Sequence, residues 1–317
     1  MCGRYASFRS AQDLADAFDV DQITDAAAAV AAGYNIAPTD PVRVVLERTD
    51  RGGAATGTGG RAHATNGAAE NSRTPDTSDA RKASGTHETG GTREARGTHE
   101  TTGTHEASGH TDHDDASAHR SRAGSDTTSA GALVRAMHVA RWGLIPGWAK
   151  DPRMGARMIN ARSESVADKP AFAKPFAQRR CIVVADGYYE WHTETSPSGG
   201  KPVKTPFYIH PSDGSPIAFA GLYSWWANPT KEPGDPDRWV LSTTIITQAA
   251  RDGLEDIHDR EPAVLDHEVI SPWLDRGTTP NTALEILDHP SPALSWHEVD
   301  RAVGSVRNQG PHLIEPV

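Results

Sequence analysis

The sequence of 317 residues contains only two cysteines, Cys2 and Cys181, and no long apolar run. Two cysteines exclude a fold held together by disulfides, and they favour a reducing compartment. No stretch approaches the roughly 20 apolar residues that a membrane helix needs. Arg4 and Arg9 interrupt any apolar core of a signal peptide at the N-terminus. We therefore expect a cytoplasmic protein that makes no contact with membranes.

Large apolar side chains are missing from one long internal segment. Between Leu46 and Leu133 the chain has no Val, Ile, Leu, Met, Phe, Tyr, Trp or Cys, so the segment buries too little apolar surface to offset its chain entropy. A six-residue repeat covers residues 85–108 (GTHETG, GTREAR, GTHETT, GTHEAS). A β-helix would need apolar residues pointing inward, and this repeat has none. We predict a disordered low-complexity insertion over residues 49–133.

Histidines are concentrated in this insertion. Seven of the fifteen lie there: His63, His87, His99, His105, His110, His113 and His119. They could form a metal-binding tract, but no fixed geometry holds their imidazoles together, and we prefer repeat expansion of a tolerated surface loop. The flanks, 42–48 (VRVVLER) and 135–144 (RAMHVARWGL), read as strands. The insertion is therefore interpreted as an overgrown hairpin loop.

The rest of the chain predicts an α+β fold in one domain over residues 1–317, interrupted by the insertion. Further strands are predicted over 180–191, 206–210, 217–226, 239–247 and 294–299. Helices are predicted over 11–18, 248–256, 268–275 and 282–288. Because strands do not alternate regularly with long helices, a doubly wound parallel sheet is excluded. We expect a curved, mainly antiparallel sheet or barrel with short flanking helices.

Cys2 is the residue that points to chemistry. If Met1 is removed, Cys2 carries a free α-amine beside its thiol, and the reference pKa of such an amine is about 7.7 to 8.0. The amine can form a Schiff base with an aldehyde, and the thiol can then close a five-membered thiazolidine. The thiol can instead attack an amide carbonyl with the amine as base, as in N-terminal nucleophile hydrolases. Position two alone does not choose between these routes or exclude an incidental cysteine.

Six motifs occur in an order that resembles the SRAP (SOS response-associated peptidase) family. They are MCGRYA (1–6), YNIAPT (34–39), RWGLIPGWAKDP (141–152), INARSESV (159–166), ADGYYEW (185–191) and IHDREPAVL (257–265). The C-terminal VRNQGPHLIEPV (306–317) is also similar to the family's end. The resemblance spans the whole chain outside the insertion, and it implies the SRAP-like fold.

The resemblance implies a covalent reaction with DNA. In this family the processed N-terminal cysteine condenses with the ring-opened deoxyribose of an abasic site in single-stranded DNA, a role that falls to Cys2. It implies that Asn160 hydrogen-bonds the sugar and the cysteine, that Glu190 lies near the α-amine, and that His258 moves a proton at ring opening or crosslink reversal. From the residues alone, Glu190 could simply face solvent, and His258 could cap a helix or pair with Asp256.

The same resemblance implies a set of DNA-binding residues. They are Arg4 and Arg162 for backbone phosphates, and Asn35, Pro38, Trp142 and Trp148 for the channel. Exposed indoles offer stacking surfaces for the bases of a single strand. Either of these two tryptophans could equally belong to the core, where we also place Trp225 and Trp226. Cys181 lies in an apolar run and is predicted to be a buried structural thiol.

Two features stand against a general DNA binder. The formal net charge is −10, and residues 51–132, with 9 Lys+Arg and 11 Asp+Glu, explain little of it. Binding must then rely on a local basic cleft, with strong sensitivity to salt. The second feature is Glu261, which stands where the family commonly has an apolar residue. If Glu261 faced the site, it could alter the pKa of His258 or repel phosphate.

The sequence thus predicts an abasic-site sensor that crosslinks itself through Cys2, with lyase-like chemistry and autocatalytic release of Met1 as a further activity. We expect its partner to be single-stranded DNA with abasic sites, including junctions with duplex. We expect a monomer, associated with the nucleoid when bound to DNA, without cofactor or metal. One alternative is a thiol peptidase or amidohydrolase, and another is a non-covalent single-strand binding module. Replacement of Cys2 by alanine separates the first two from the third.

Overall fold

A computed structural model describes residues 2–49, 132–194 and 202–317. Residues 50–131 of the predicted insertion lie outside this description. The strands are β1 (Tyr5–Ser7), β2 (Gln22–Ile23), β3 (Gly33–Ile36), β4 (Pro41–Thr49), β5 (Leu133–Trp142), β6 (Asn160–Arg162), β7 (Arg180–Ala185), β8 (Gly187–Glu194), β9 (Val203–Pro211), β10 (Ile217–Ala227), β11 (Trp239–Ala249), β12 (Arg260–Pro262) and β13 (Leu294–Glu298). The α-helices are α1 (Ala11–Ala17), α2 (Asp25–Ala28), α3 (Ala173–Gln178), α4 (His267–Leu274) and α5 (Pro280–Leu287). Short 3₁₀ helices cover Pro152–Arg157, Ser163–Ser165, Pro236–Arg238, Leu254–Asp256, Arg301–Gly304 and Pro311–Ile314.

Five strands close into a small barrel. The strands β11, β10, β7, β4 and β5 pair in that order, and neighbours along this path are antiparallel. β5 then pairs with β11 in parallel, with Ser242 opposite Arg141 and Thr243 opposite Trp142. This last pairing removes the free edges that an open sheet would leave. The predicted α+β fold with a curved, mainly antiparallel sheet or barrel is confirmed.

Alternation along the barrel strands separates two apolar clusters. In β7, Cys181 and Val183 join one cluster, whereas Ile182 and Val184 join the other, as the two-residue period of a strand requires. The second cluster also contains side chains of α1, α3, α4 and α5. Because these helices cover the outside, the cluster with Cys181 and Val183 fills the inside of the barrel. Cys2 belongs to this inner cluster.

A second sheet holds the N-terminus of the chain in place. Its strand order is β13-β9-β8-β1-β3, so β1 has a partner on each side. Tyr5 of β1 lies opposite Tyr188 of β8 and Ile36 of β3. Chain ends ordinarily fray unless they are tied down in this way. The sheet therefore fixes the segment that leads back from Tyr5 to Cys2.

The single strand predicted over 180–191 is wrong, because Asp186 divides it. β7 belongs to the barrel and β8 to the second sheet. At the junction the Asp186 carboxylate accepts the backbone N–H of Phe8 at 2.6 Å, and the backbone N–H of Asp186 donates to Ala6 at 2.7 Å. A buried carboxylate that caps the end of β1 thus marks the change of sheet.

The helix predicted over 248–256 is also wrong. β11 continues to Ala249, and Asp252 and Gly253 then take positive φ angles of 58° and 93°, which end any regular element. The predicted helix over 11–18 is confirmed as α1, where the Ser10 hydroxyl accepts the N–H of Asp13 at 3.1 Å. The helices predicted over 268–275 and 282–288 are confirmed, as α4 and α5.

The ends of the insertion form the predicted hairpin. β4 and β5 are antiparallel neighbours in register from Pro41 opposite Arg141 to Thr49 opposite Leu133. The two strands thus bring the ends of the insertion together. Within the described ranges, no helix is long and apolar enough to span a membrane.

Candidate active site

Cys2 lies beside β8, in the segment that precedes β1. The backbone N–H of Tyr189 donates to Arg4 O at 3.0 Å, which continues the β1–β8 register toward the N-terminus and brings Cys2 beside Glu190 and Trp191. The Cys2 side chain is fully buried. Its position is therefore set by sheet pairing and by packing in the inner cluster.

Asn160 fixes the backbone of Cys2. Its Nδ2 donates to Cys2 O at 2.7 Å, and its Oδ1 is buried without a hydrogen-bond partner in the described part of the chain. Asn160 begins β6, which pairs in parallel with β11 through Ile245 opposite Asn160. A short strand paired with barrel strand β11 thus carries an amide whose Nδ2 binds Cys2 O and whose Oδ1 is left as an acceptor for another group.

Glu190 supplies a buried carboxylate next to Cys2. The residue is 4% exposed and lies in β8 opposite Phe207 of β9. Burial raises the pKa of the Glu190 carboxyl above its ordinary value, and its interactions with the Met1 ammonium and with His258 offset part of this rise. A carboxylate of raised pKa beside an amine is suited to accept and return a proton.

His258 approaches the same carboxylate from the turn before β12. Its Nδ1 accepts the backbone N–H of Arg260 at 3.0 Å and lies 2.8 Å from Oδ1 of Asp259. The ring with its proton on Nε2 can accept from Arg260, and this contact together with Asp259 holds the imidazole in place.

The Cys2 thiol stays protonated in this environment. Burial raises the pKa of the Cys2 thiol far above its ordinary value, and the negative charge of Glu190 adds to the rise. A buried neutral thiol is a poor nucleophile until a base removes its proton.

The structure thus brings the four predicted catalytic residues together. Asn160 donates a hydrogen bond to Cys2 O, the charge of Glu190 raises the pKa of the Cys2 thiol, and the interaction with His258 lowers the pKa of Glu190. In the described ranges no group of three or more His, Cys, Asp or Glu residues could hold a metal ion. The chemistry that the arrangement offers is addition and proton transfer at Cys2.

Arg4 and Asn35, both predicted to bind DNA, contact each other and the C-terminal segment. Arg4 Nη1 donates to Asn35 Oδ1 at 2.7 Å and to Val303 O at 3.0 Å. Asn35 is fully buried, and its Nδ2 donates to the backbone oxygens of Val303, Ser305 and Asn308. Asn35 therefore ties the C-terminal segment to β3, whereas Arg4 is only half-buried and reaches the surface.

The remaining predicted DNA-binding residues divide into a buried tryptophan and an exposed group. Trp142 is fully buried, its Nε1 donates to Ile159 O at 3.0 Å, and its ring lies 5.1 Å from that of Tyr5. Trp142 is thus a core residue that supports the N-terminal segment. Trp148 is 61% exposed, Arg162 is exposed and Pro38 is half-buried, so these three are accessible to a ligand.

The core prediction for Trp225 is wrong. Trp225 is 42% exposed, whereas its neighbour Trp226 is 2% exposed, as predicted. Side chains alternate along β10, so the two neighbouring tryptophans point to opposite faces of the strand. Trp226 packs against other residues on its face, whereas Trp225 remains partly exposed. Cys181 is fully buried, and burial raises the pKa of its thiol to about 12, which confirms the structural role predicted for it.

Glu261 is held by Gln248 and Arg251. Its Oε1 accepts Gln248 Nε2 at 3.0 Å and lies 3.9 Å from Arg251 Nε. Burial raises the pKa of the Glu261 carboxyl. The side chain lines a separate pocket of about 310 Å³ together with Trp296. The departure at this position therefore affects Tyr188, whose pKa the charge of Glu261 helps to raise, and Glu261 also lines a pocket that does not include Cys2.

Two tyrosine hydroxyls next to Cys2 escaped prediction. The hydroxyls of Tyr5 and Tyr188 are buried without hydrogen-bond partners in the part of the chain that the structure describes. Burial raises the pKa of both phenols, and the charge of Glu261 adds to the rise for Tyr188. Both lie in motifs that the sequence displays, MCGRYA and GYYEW, but nothing local distinguishes a tyrosine near the thiol from one that only packs.

The sequence matches one protein family over nearly its whole length. The family model for "SOS response associated peptidase (SRAP)" matches residues 1–306. The chain therefore belongs to the SRAP family.

Its relatives include proteins of bacteria and vertebrates. The chain is 40% identical over 177 residues to the abasic site processing protein YoqW of Bacillus subtilis (55% of this chain, 74% of the relative). It is 41% identical over 179 residues to the abasic site processing protein YedK of Escherichia coli (56% and 73%). It is 32% identical over 205 residues to the abasic site processing protein HMCES of Xenopus tropicalis, covering 58% of each chain.

Solved structures share the fold. A protein of Bordetella bronchiseptica superposes with a TM-score of 0.53 at 17% identity, over 94% of this chain and 100% of the other. A phage-related protein of the same organism superposes with a TM-score of 0.50 at 23% identity, over 95% of each chain. At these identities the likeness concerns the fold alone.

Proposed function

We propose that this protein recognises abasic sites in single-stranded DNA and forms a covalent crosslink to them through Cys2. The observation that carries the proposal is the hydrogen bond from Asn160 to Cys2 O, which holds the cysteine beside Glu190. Relatives that are 32 to 41% identical are abasic site processing proteins, which supports the choice of substrate. The proposal requires Cys2 to be the first residue of the mature chain.

The reaction balances without a cofactor. The Cys2 α-amine attacks the aldehyde of the ring-opened sugar, and the carbinolamine loses water to give an imine. The Cys2 thiol then adds to the imine carbon, and its proton ends on the former amine nitrogen. One C–N and one C–S bond form, one water leaves, and nothing is oxidised. The product is a five-membered thiazolidine.

Glu190 and His258 supply the proton transfers. Glu190 as a carboxylate accepts a proton from the α-ammonium before attack, and as an acid it assists departure of water from the carbinolamine. His258 lies near Glu190, and an imidazole can donate to the ring oxygen of the closed sugar when that ring opens. The buried acceptor Oδ1 of Asn160 is available to a sugar hydroxyl.

The raised pKa of the Cys2 thiol argues against the thiol peptidase alternative. A peptidase of this type needs a thiolate as the first nucleophile, and burial beside Glu190 disfavours that form. In the thiazolidine route the thiol adds second, to an imine that is more electrophilic than an amide. Shielding of the abasic site from strand cleavage follows, because the aldehyde is consumed.

DNA binding in this proposal relies on a few exposed groups. Arg162, two residues from Asn160, and the half-buried Arg4 are candidates for phosphate contacts, and Trp148 is a candidate for base stacking. The formal charge of −10 opposes binding elsewhere on the surface. Non-covalent affinity should therefore weaken steeply as salt is added.

The test is a denaturing gel of the full chain with a single-stranded oligonucleotide carrying one abasic site, beside an undamaged control. We expect a heat-stable adduct on the damaged strand only, and none with Cys2→Ala. Cys2→Ser retains the amine and should give an imine that only borohydride makes stable. An adduct that survives in Cys2→Ala would refute the role of Cys2. Retarded migration on native gels without any adduct would instead favour the non-covalent binding module.

A further inference from the structure

The pocket of about 310 Å³ that Glu261 lines contains none of the four candidate catalytic residues. One wall consists of β12 and the turn after β11, which contribute Glu261, Arg251 and Leu254. The other wall includes β13, where Leu294 and Trp296 project from the same face because side chains alternate along a strand. We call this cavity the Glu261 pocket.

The Glu261 carboxylate is buried without a close counter-ion. The residue is 6% exposed. Gln248, its cross-strand partner on β11, donates Nε2 to Oε1 at 3.0 Å, but this amide carries no charge. Arg251 Nε lies 3.9 Å from the same oxygen, which is longer than a hydrogen bond, and its side chain is 40% exposed. Since a buried carboxylate is costly unless it is paired, a cation that reached Glu261 would be stabilised there.

The pKa of the Glu261 carboxyl agrees with this geometry. Burial raises that pKa, and the contacts with Gln248 and Arg251 lower it without cancelling the rise. The carboxylate therefore gains less from its neighbours than it loses by leaving water. A ligand with a positive charge would supply the missing interaction.

Trp296 offers an aromatic surface in the same pocket. The residue is 37% exposed. One edge of its ring rests against Gly253, where an added Cβ would lie 3.4 Å from the indole Cη2, so this contact holds the ring. Aromatic faces attract organic cations, and Leu254 and Leu294 add apolar surface for the body of a ligand.

The charges around the pocket also favour a cation. The lining carries two carboxylates, those of Glu261 and Asp252, and one guanidinium, that of Arg251. The formal net charge of the chain, −10, acts in the same direction. An anion such as a DNA phosphate would instead meet a buried carboxylate, so this pocket is unsuited to the DNA backbone.

We propose that the Glu261 pocket binds a small organic cation, with an amidinium, guanidinium or ammonium group at Glu261 and a flat apolar body against Trp296. The ligand replaces Arg251 as the counter-ion of the buried carboxylate. The volume is at the small end of the range for ligand sites. This inference goes beyond the proposed function and does not depend on it, because neither DNA nor Cys2 takes part.

The test is isothermal titration calorimetry of the full chain with benzamidine, a flat aromatic amidinium, beside benzamide, its neutral analogue. We expect benzamidine to bind at least tenfold more tightly than benzamide, and Glu261→Gln to lose at least tenfold in affinity for benzamidine, because a hydrogen bond to a charged group is removed in each case. Trp296→Ala should bind benzamidine about two- to fivefold more weakly. Arg251→Gln should bind it up to about fivefold more tightly, because the guanidinium competes for the same carboxylate.

Matched variants separate the pocket from other causes. Trp239→Ala removes an indole that is 57% exposed on β11, outside the pocket lining, and should bind benzamidine like the unaltered protein. Glu261→Gln should unfold at the same or a higher urea concentration at pH 7, since a carboxyl whose pKa is raised by folding destabilises the fold when it is ionised. A lower midpoint would show that the carboxylate serves the fold, and would overturn the proposal.

Three binding results would also overturn it. One is no binding at about 10 mM benzamidine, where a site of millimolar Kd would be nearly filled. Another is equal affinity for benzamide, which would mean that charge plays no part. The third is loss of binding in Glu190→Gln but not in Glu261→Gln, which would place the probe in the reaction site. A failure of the protein to crosslink DNA would leave all these measurements unchanged, so the two proposals fail independently.

Discussion

Replacement of Asn160 by alanine tests how the protein holds its reacting end. The variant removes the 2.7 Å hydrogen bond from Nδ2 to Cys2 O and leaves that carbonyl without its partner in a buried site. Leaving a buried acceptor unsatisfied costs about 1 to 3 kcal/mol. If this cost falls on the positioning of the α-amine, the crosslinking rate drops roughly 5- to 150-fold.

Asn160→Asp should be at least as slow as Asn160→Ala. The aspartate keeps the shape but replaces the donor by a carboxylate, which repels both Cys2 O and Glu190. Since a nearby negative charge favours the protonated amine, the optimum for crosslinking should also move to higher pH. Asn281→Ala, an exposed amide on α5, is the matched control and should react at the wild-type rate.

The assay is single-turnover crosslinking at saturating abasic strand, with affinity for undamaged DNA measured in parallel by fluorescence anisotropy. We expect the rate to fall while affinity changes less than twofold. A wild-type rate in Asn160→Ala would refute the positioning argument. A parallel loss of affinity and of rate would place Asn160 in DNA binding instead.

Three other predictions follow from the site and the core. Glu190→Gln should slow crosslinking about a hundredfold or more. In the wild type the rate should fall as pH drops through the raised pKa of Glu190, whereas the rate–pH profile of the variant should show only the ionisation of the α-amine. Two ionisations on the acid side of the variant's profile would contradict the assignment. Trp142→Ala should lower the free energy of unfolding in urea by about 3 to 5 kcal/mol, because its ring is fully buried against Tyr5; unchanged stability with weaker DNA binding would restore the stacking role. Replacement of residues 51–132 by a short turn should leave crosslinking within twofold, since Thr49 and Leu133 are already paired, and a folded variant that no longer crosslinks would show that the insertion takes part.

Local sequence predicted those helices and strands that a single side-chain pattern determines. The β-branched runs of β4 and β11 and the Ser10 cap of α1 specify their elements through short-range physics, so these were predictable. Closure of the barrel depends on a parallel contact between β5 and β11, which no local pattern encodes. For the same reason the change of sheet at Asp186 was missed, because it depends on the distant N–H of Phe8.

The motifs predicted which residues form the candidate site, but they did not predict which side chains are exposed. Cys2, Asn160, Glu190 and His258 lie near one another, because pairing of β8 with β1 and of β6 with β11 brings their motifs to one place. Exposure depends on which end of the barrel a side chain reaches. Trp142 and Asn35 are buried although their motifs implied the DNA channel, and Trp225 is exposed although it was expected in the core.

The most direct test of the account is intact mass spectrometry of the conjugate formed with an abasic single strand. We predict one adduct whose mass is that of the protein without Met1 plus the strand, minus one water, with the crosslink on the N-terminal peptide and no free thiol at Cys2. An adduct on any other residue, or one at Cys2 that leaves its thiol free to alkylation, would contradict a thiazolidine at this site.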